Sequence, residues 1–309
     1  LQVSEGGENP DWKMNLDLAE AAMRRLGEEE ASIEDVTMHF EALVKDVTFK
    51  KEKPEFALSF RMPSARVTDM QTFNSHLPPD SAFRFKGGEA DLSANILLQS
   101  NDADGFVKLD SEADILLDGG QDLKADLGVD IQISGGTPAN MEFEFDGSKV
   151  TLDNLVVVGI EEDYEAAAWS AVLELTRGDA VFMEPVTLQL EAKLSASDSR
   201  PIVALFRNQD GWRPEFLANA MTVEGIEGDA VMTMENNLIL IPKAWVTSDN
   251  IQAGMKAEIG RPEGNNGRIY LKYKKLDVVL KILNGDRNLD IIKAREKYDE
   301  YEVSPPASQ

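Results

Sequence analysis

Histidine and carboxylate side chains are the residues of this sequence that first suggest catalysis or metal binding. The chain has two histidines, His39 and His76, and no cysteine, which removes thiolate nucleophiles, disulfides and zinc sites built on sulfur. A hydrolytic triad or a histidine-based metal site needs further partners at a defined spacing, and neither histidine has one in its motif. Both are therefore predicted to have structural roles.

The carboxylates form no recognisable catalytic or metal-binding motif. The stretch SNDADG at 100–105 resembles the start of a calcium loop, but Ser100 and Ser111 occupy the positions where that loop needs acidic ligands. LDGGQDLKADLG at 117–128 lacks the residue order of a calcium β-roll. No nucleophile elbow, phosphate-binding glycine loop or dinucleotide fingerprint is present. The sequence predicts no catalytic residue, no metal and no cofactor, and hence a protein that is not an enzyme.

The charge of the chain is strongly negative and unevenly distributed. The net charge of −25 excludes a nucleic-acid-binding function, which needs a basic surface. Residues 268–297 nevertheless hold nine Lys and Arg against four Asp and Glu, so that the remainder carries −30. This basic segment could meet anionic headgroups or an acidic partner, or it could be a solvated strand and helix face.

Hydrophobic periodicity divides the chain into a short N-terminal part and a long β-rich part. Residues 1–35 read as a polar lead-in over 1–14 followed by a helix over 16–26, in which Leu16, Ala19, Met23 and Leu26 have helical spacing. The hydrophobic period changes to two residues over 36–301, which is typical of antiparallel strands with one solvent-exposed face and one apolar face. Hairpin turns are expected at the dipeptides DG 104–105, GG 119–120, GG 135–136, DG 146–147 and NG 266–267.

Helical segments interrupt the β-rich part at a few places. We expect short helices over 68–77, with Thr68 as the N-cap, and over 212–220. An amphipathic helix is predicted over roughly 286–301, and a disordered tail over 302–309. The run at 268–283 reads as one strand with a bulge near Lys275.

Two stretches of the β-rich part are alike. GGEADLSANILL at 87–98 and EGDAVMTMENNLIL at 227–240 share a Gly, an acidic residue and an Ala before a long alternating strand. Either the chain contains a two-fold repeat with units 36–176 and 177–285, or two β-rich stretches resemble each other by chance.

The predicted fold is mainly β, with few short helices. Its long antiparallel sheet either curls into a groove or packs on a second sheet as a sandwich. In a groove, the apolar face is available for a ligand with a hydrocarbon body, because acyl chains need apolar area rather than polar partners. The candidate lining residues are Leu92, Ile96, Leu98, Leu127, Val129, Ile131, Phe143 and Phe145.

Three segments resemble the AsmA-like superfamily of Gram-negative envelope proteins: 61–98, 145–159 and 221–259. The shared features are a short helix ending in Leu-Pro, a strand that begins with Gly, an acidic residue and Ala, and long series of glycine turns between strands. The resemblance supplies no catalytic or binding motif.

The resemblance implies a periplasmic protein, anchored in the inner membrane by a segment upstream of Leu1, that shields lipid chains during phospholipid transport or outer-membrane assembly. It implies a phospholipid or other acyl-chain lipid as the ligand, and an envelope protein as a further partner. The start at Leu1 rather than Met agrees with a processed chain or a part of a longer protein. The alternative hypothesis from the residues is a structural or adhesive β-sandwich module that binds protein or carbohydrate.

Overall fold

The computed structural model describes residues 2–4, 11–24, 32–45, 55–77, 81, 83–117, 120–158, 164–165, 168–201, 223–236 and 238–304. The chain forms two compact units, unit 1 (Leu1–Ala168) and unit 2 (Trp169–Gln309). Both are built almost entirely from antiparallel strands, which confirms the predicted mainly β fold with few short helices. The two-fold repeat stays a prediction.

Unit 1 is an antiparallel meander. Its strands are β1 (Gln2–Ser4), β2 (Asp11–Met23), β3 (Ile33–Lys45), β4 (Glu55–Val67), β5 (Phe83–Gln99), β6 (Asp102–Leu117), β7 (Asp122–Ile133), β8 (Gly135–Thr137), β9 (Glu142–Glu144), β10 (Lys149–Val157) and β11 (Tyr164–Glu165). Strands β1 to β7 pair in chain order, β7 then pairs with β10, and β10 with β11. Strands β8 and β9 form a separate small hairpin. The pairings within the described part of unit 1 leave its sheet open rather than closed on itself.

Unit 2 is a second meander in which each strand pairs with the next. Its strands are β12 (Ser170–Val181), β13 (Thr187–Asp198), β14 (Glu224–Glu235), β15 (Leu238–Thr247), β16 (Ile251–Ile259), β17 (Asn266–Tyr273), β18 (Leu276–Leu283) and β19 (Asp286–Asp290). Helix α1 (Ala294–Asp299) follows β19.

The helix predicted over 16–26 is wrong: residues 11–23 form strand β2, which pairs with β3. The pairing register shifts between Leu18 and Ala21 and again between Ala21 and Met23, and Glu20 adopts a positive φ of 51°. Because a bulge inserts an extra residue, it changes the apolar spacing from two to three or four and imitates a helix. The polar lead-in over 1–14 is likewise corrected, since it contains β1 and the start of β2. Residues 25–31 lie outside the described part.

The helix predicted over 68–77 exists as a 3-10 helix, Met70–Ser75, and its N-cap is Asp69 rather than Thr68. The Asp69 carboxylate accepts a hydrogen bond of 2.9 Å from the backbone N–H of Gln71, which is the usual capping interaction. A second 3-10 helix spans Pro138–Asn140. The helix predicted over 212–220 lies outside the described residues.

The C-terminal elements differ from the prediction in two ways. The expected single strand over 268–283 is a hairpin of β17 and β18, whose turn is formed by Lys274, with a positive φ of 54°, and Lys275. The expected helix over 286–301 is strand β19 followed by the short helix α1. Hydrophobic spacing alone cannot distinguish a bulge from a turn, because both interrupt the alternation by a residue or two.

The tail predicted to be disordered over 302–309 is fixed at its start. The backbone N–H of Ser304 donates to Glu258 (2.7 Å), and Arg261 donates to the same carboxylate (2.6 Å) and to the carbonyl of Ser304 (2.8 Å). Burial raises the pKa of the Glu258 carboxyl, but the hydrogen bonds from Ser304 and Arg261 outweigh this effect and bring the pKa below its ordinary value. Residues 305–309 lie outside the described part.

Replacing Glu258 with Gln is expected to lower the free energy of unfolding at neutral pH by about 2 kcal/mol, because the substitution leaves the guanidinium of Arg261 without its buried counter-charge. Since the folded-state pKa of Glu258 is lowered, its carboxylate stabilises the fold above about pH 4.5, its ordinary value, and this contribution disappears as the pH falls through the folded pKa. Urea unfolding from pH 7 to pH 3 checks this. If the difference in unfolding free energy between the parent protein and the variant stays constant over this range, the carboxylate of Glu258 does not stabilise the fold as proposed. Glu263→Gln, at an exposed position, serves as the control.

Candidate functional site: an apolar sheet face

Six of the eight predicted lining residues lie on one face of the unit 1 sheet. Leu92, Ile96 and Leu98 are in β5, and Leu127, Val129 and Ile131 are in β7. Strand β6 lies between them, and the register pairs Leu92 with Leu109 and Leu109 with Val129. Directly paired residues point to the same side of a sheet, and every second residue along a strand does so too. The structure therefore brings these six side chains onto a common surface.

The same surface continues onto the neighbouring strands. Leu98 pairs with Leu58 in β4, which pairs with Ala42 in β3, which pairs with Met14 in β2. We call this surface the apolar face of unit 1. Besides the six residues above, it includes Trp12, Met14, Leu16, Leu18, Met38, Phe40, Ala42, Val44, Phe56, Leu58, Phe60, Met62, Ala94, Val107, Leu109, Val150 and Leu152.

Phe143 and Phe145 are not joined to this face by strand pairing. Phe143 lies in β9, where it pairs with Gly136 of β8, and Phe145 follows that strand. Their rings stack on each other with centroids 6.4 Å apart. The structure thus separates these two residues from the other six by placing them in or beside the small hairpin.

One end of the apolar face is closed by the 3-10 helix Met70–Ser75. Met70 of that helix is 1% exposed, and Phe73 packs edge-on against Phe85 with ring centroids 6.5 Å apart. The Asn74 side chain accepts from the backbone N–H of Phe85 and donates to its carbonyl, so the helix occupies the position beside β5 that a strand would otherwise take. Val67 and Val157, near this end of the face, are fully buried.

The rest of the face becomes progressively more accessible. All six predicted residues in β5 and β7 are half-buried. On β2 the side chains are exposed: Trp12 46%, Met14 41%, Leu16 45% and Leu18 38%. In the described part of unit 1, two 3-10 helices contact β5, Met70–Ser75 and Pro138–Asn140, and strand β8 of the small hairpin contacts β6. Six of the eight predicted lining residues therefore lie on a half-open apolar surface, and ligand binding by this surface stays a prediction.

Sequence reasoning missed the β2 part of this face. Trp12, Met14, Leu16 and Leu18 alternate strictly over seven residues, which is a strand signal, but the bulges that follow gave the segment helical spacing. Leu109 of β6, which joins the β5 and β7 groups, was also not singled out. Its alternation with Val107 is visible in the sequence, although its partners are not.

The opposite face of the same sheet is acidic and contains a cleft of about 1080 Å³. The register pairs Glu89 with Glu112, Glu112 with Asp126, and Asp126 with Asp153, so that four carboxylates form a row across β5, β6, β7 and β10. Like charges in direct opposition destabilise a sheet, and Arg66 partly offsets this repulsion through its ion pair with Glu89 (2.5 Å). This hydrogen bond and the charge of Glu89 raise the pKa of the Arg66 guanidinium.

The acidic cleft does not form a metal site. Within the part of the chain that the structure describes, no three His, Asp or Glu side chains converge closely enough to hold a metal ion. His39 forms a hydrogen bond with the Asp17 carboxylate on the polar side of β2 and β3, where both side chains are exposed. The structural role of His39 stays a prediction.

Unit 2 also has two distinct faces. Its apolar face carries Leu173, Leu190, Leu194, Met232, Ala244, Val246, Met255, Ile269, Leu271 and Leu280. Helix α1 packs on the other side, where Ala294 and Tyr298 contact Tyr270, Val279 and Trp245. In the described part of unit 2, helix α1 therefore does not cover the apolar face.

The aromatic cluster under α1 is held by Arg295. Its guanidinium lies 4.6 Å from the ring centroid of Trp245 and 5.3 Å from that of Tyr270, and it forms an ion pair of 2.8 Å with Asp299. Burial raises the pKa of Tyr298, and the Arg295 charge offsets only part of this rise. The cluster is a packed core that fixes α1.

None of the described helices is long and apolar enough to cross a membrane. Comparison of the chain with protein-family models, with curated proteins and with solved structures found no match.

Proposed function

We propose that this protein is a non-enzymatic lipid-binding protein whose apolar face in unit 1 shields the acyl chains of a phospholipid or a similar lipid. The observation that carries the proposal is the half-open state of this face. It combines continuous apolar side chains, a closed end at Met70 and exposed residues on β2. A protein core would be covered throughout, whereas a purely solvated face would be polar.

The dimensions of the face suit a hydrocarbon chain. Seven strands from β2 to β10 contribute to it, and six inter-strand spacings of about 4.8 Å give a width of roughly 29 Å. The hydrocarbon core of a bilayer is about 30 Å thick, so one acyl chain of a single leaflet needs roughly half of this width. Each methylene removed from water contributes about 0.8 kcal/mol to the binding free energy, so the burial of apolar area can hold an acyl chain without polar contacts.

The face also lacks the polar groups that a more specific ligand would need. Its apolar members in β5, β6 and β7 are Leu, Ile, Val and Ala, which offer neither hydrogen-bond donors nor acceptors in their side chains. Ser111, which pairs with Leu127 on the same face, is buried, and its hydroxyl donates to the Leu127 carbonyl (3.2 Å). Acidic side chains lie on the opposite face. Carbohydrate, the ligand of the alternative adhesive hypothesis, needs polar side chains pointing towards it as well as aromatic ones. The face has aromatic members but, apart from the buried Ser111, no polar ones among its described residues, so it favours lipid.

We further propose a periplasmic location, attachment to the inner membrane, and a role in phospholipid transport or outer-membrane assembly with an envelope protein as partner. These proposals are supported by the resemblance of 61–98, 145–159 and 221–259 to the AsmA-like superfamily. Their support is therefore separate from that of lipid binding.

Native mass spectrometry of the purified chain tests lipid binding directly. We expect phospholipid to be retained at close to one molecule or more per chain, and to be identified after solvent extraction. Delipidated protein is then offered labelled phospholipid, and uptake is expected. A mass free of lipid combined with no uptake would overturn the proposal and would favour the adhesive module.

A further inference from the structure

We infer that one end of unit 2 binds the surface of an anionic lipid membrane. This end, which we call the basic tip, consists of Lys274, Lys275, Leu276, Ile291, Ile292 and Lys293. The inference goes beyond the proposed function, because it concerns adsorption to a membrane surface and not the binding of a single lipid. The two are also separable by experiment.

Strand pairing brings the parts of the basic tip together. Lys274 and Lys275 form the turn between β17 and β18, and Leu276 is the first residue of β18. Val279, three residues later in the same strand, pairs with Asp290, which ends β19 immediately before Ile291. The turn and the segment after β19 therefore lie at the same end of the sheet.

The apolar side chains of the basic tip are unusually accessible. Ile292 is 70% exposed, Ile291 64% and Leu276 62%, and no other large apolar side chain in the described part of the chain exceeds the two isoleucines. Three large exposed aliphatic side chains grouped at one end gain free energy when they move from water into an apolar environment such as the hydrocarbon of a membrane.

The charge around these side chains selects the kind of surface. Lys274, Lys275 and Lys293 are exposed beside them, and the Lys274 ammonium lies 5.1 Å from the centre of the Tyr273 ring. Lysine, tyrosine and aliphatic side chains together match the layers of a membrane interface, where headgroup charge overlies hydrocarbon. Lys293 forms an ion pair of 2.7 Å with Glu296, so Lys274 and Lys275 contribute most of the attraction to an anionic surface.

The negative charge of the whole chain does not prevent this contact. Electrostatic interactions between exposed groups are screened over about 8 Å at physiological ionic strength. The basic tip lies within the 268–297 segment, which holds nine basic and four acidic residues. The exposed lysines of the basic tip can therefore contact anionic headgroups, although Asp277 and Asp249, which precedes the Asn250 carbonyl that accepts from the backbone N–H of Lys274, lie near them. The acidic remainder opposes adsorption through other surfaces.

Flotation of the whole protein with lipid vesicles tests the inference. We expect binding to vesicles of phosphatidylcholine mixed with phosphatidylglycerol, and much weaker binding to phosphatidylcholine alone. The double variant Lys274→Gln/Lys275→Gln is expected to reduce binding by roughly fivefold per lysine. Lys274→Arg/Lys275→Arg, which keeps the charge, is expected to bind as the parent protein does.

The apolar part is tested by Ile291→Asn/Ile292→Asn, which is expected to weaken vesicle binding by roughly tenfold or more. Leu283→Asn is the matched control, because Leu283 ends the same strand that Leu276 begins and is also 62% exposed. Equal binding to neutral vesicles, or equal weakening by Leu283→Asn, would overturn the inference. Failure of the parent protein to bind anionic vesicles would also overturn it and would favour an acidic protein as the partner of the lysines. Full binding by the isoleucine variant would overturn the contribution assigned to the apolar side chains.

Discussion

Replacing Gly254 with Ala is expected to lower the free energy of unfolding of unit 2 by about 3 kcal/mol. A Cβ atom at this position would lie 2.4 Å from Cζ3 of Trp245 and 2.7 Å from the hydroxyl oxygen of Tyr298. Trp245 is held between Tyr270, 5.9 Å away between ring centroids, and Arg295, so it cannot move aside without breaking the cluster under α1. Urea unfolding followed by Trp fluorescence measures the loss.

Two further variants show whether the loss comes from this contact. Gly87→Ala is the control, because its Cβ would meet only an Asp114 oxygen at 3.7 Å, and we expect a change below about 1 kcal/mol. In a Trp245→Leu background, Gly254→Ala is expected to cost much less than in the parent chain, since the clashing ring is gone. Equal losses in both backgrounds would contradict the contact-based explanation.

Replacing Ile96 with Gln is expected to reduce phospholipid uptake by roughly tenfold, because a polar side chain then lies in the middle of the apolar face of unit 1. Ile96 is half-buried and pairs with Phe60 on one side and Gly105 on the other, so the longer side chain has room and the fold is expected to persist. Uptake of labelled phospholipid by delipidated protein is the measurement, with circular dichroism as the check on folding.

Leu97→Gln is the matched control for Ile96→Gln. Leu97 is the next residue in the same strand, points to the opposite face and is 40% exposed. We expect lipid uptake by this variant to equal that of the parent protein. If both substitutions reduce uptake equally, or neither does, the apolar face is not the lipid-binding surface. Neither variant is expected to change vesicle flotation, which separates this test from that of the basic tip.

The sequence predicted the strands best where alternation is strict and uninterrupted. Ala90 to Leu98 in β5 and Ile251 to Ile259 in β16 are examples, because every second side chain there points to the apolar face. Turn positions were less certain. The dipeptide Asp104–Gly105 was expected to form a hairpin turn but lies within β6, where a Cβ on Gly105 would come 2.2 Å from the carbonyl oxygen of Asn95. Gly is required there by a close approach between strands, which sequence alone cannot distinguish from a turn.

The candidate site was predictable in composition but not in extent. Alternation identified the β5 and β7 residues, yet their assembly depends on β6 lying between them and on the exact register, which are long-range properties. Phe143 and Phe145 were grouped with them because they also alternate. The small hairpin that separates them is only three residues per strand, too short to be recognised from a pattern. The row of four carboxylates across β5, β6, β7 and β10 was missed because it also depends on the long-range register, and no two of its members are close in sequence.

The consecutive pairing of strands in both units has a consequence for how the chain folds and opens. Nearly every strand interacts with its neighbours in sequence, and the β7–β10 pairing bypasses only the small hairpin. Stability in such an arrangement is close to a sum of terms between adjacent strands, as in repeat proteins, so folding can start at any hairpin and extend strand by strand. Amide hydrogen exchange within unit 1 should therefore be graded, slowest around β5 and β6 and faster towards β2. The exposed end of the apolar face would then also be its most easily opened part, where a lipid chain could enter without unfolding the closed end at Met70.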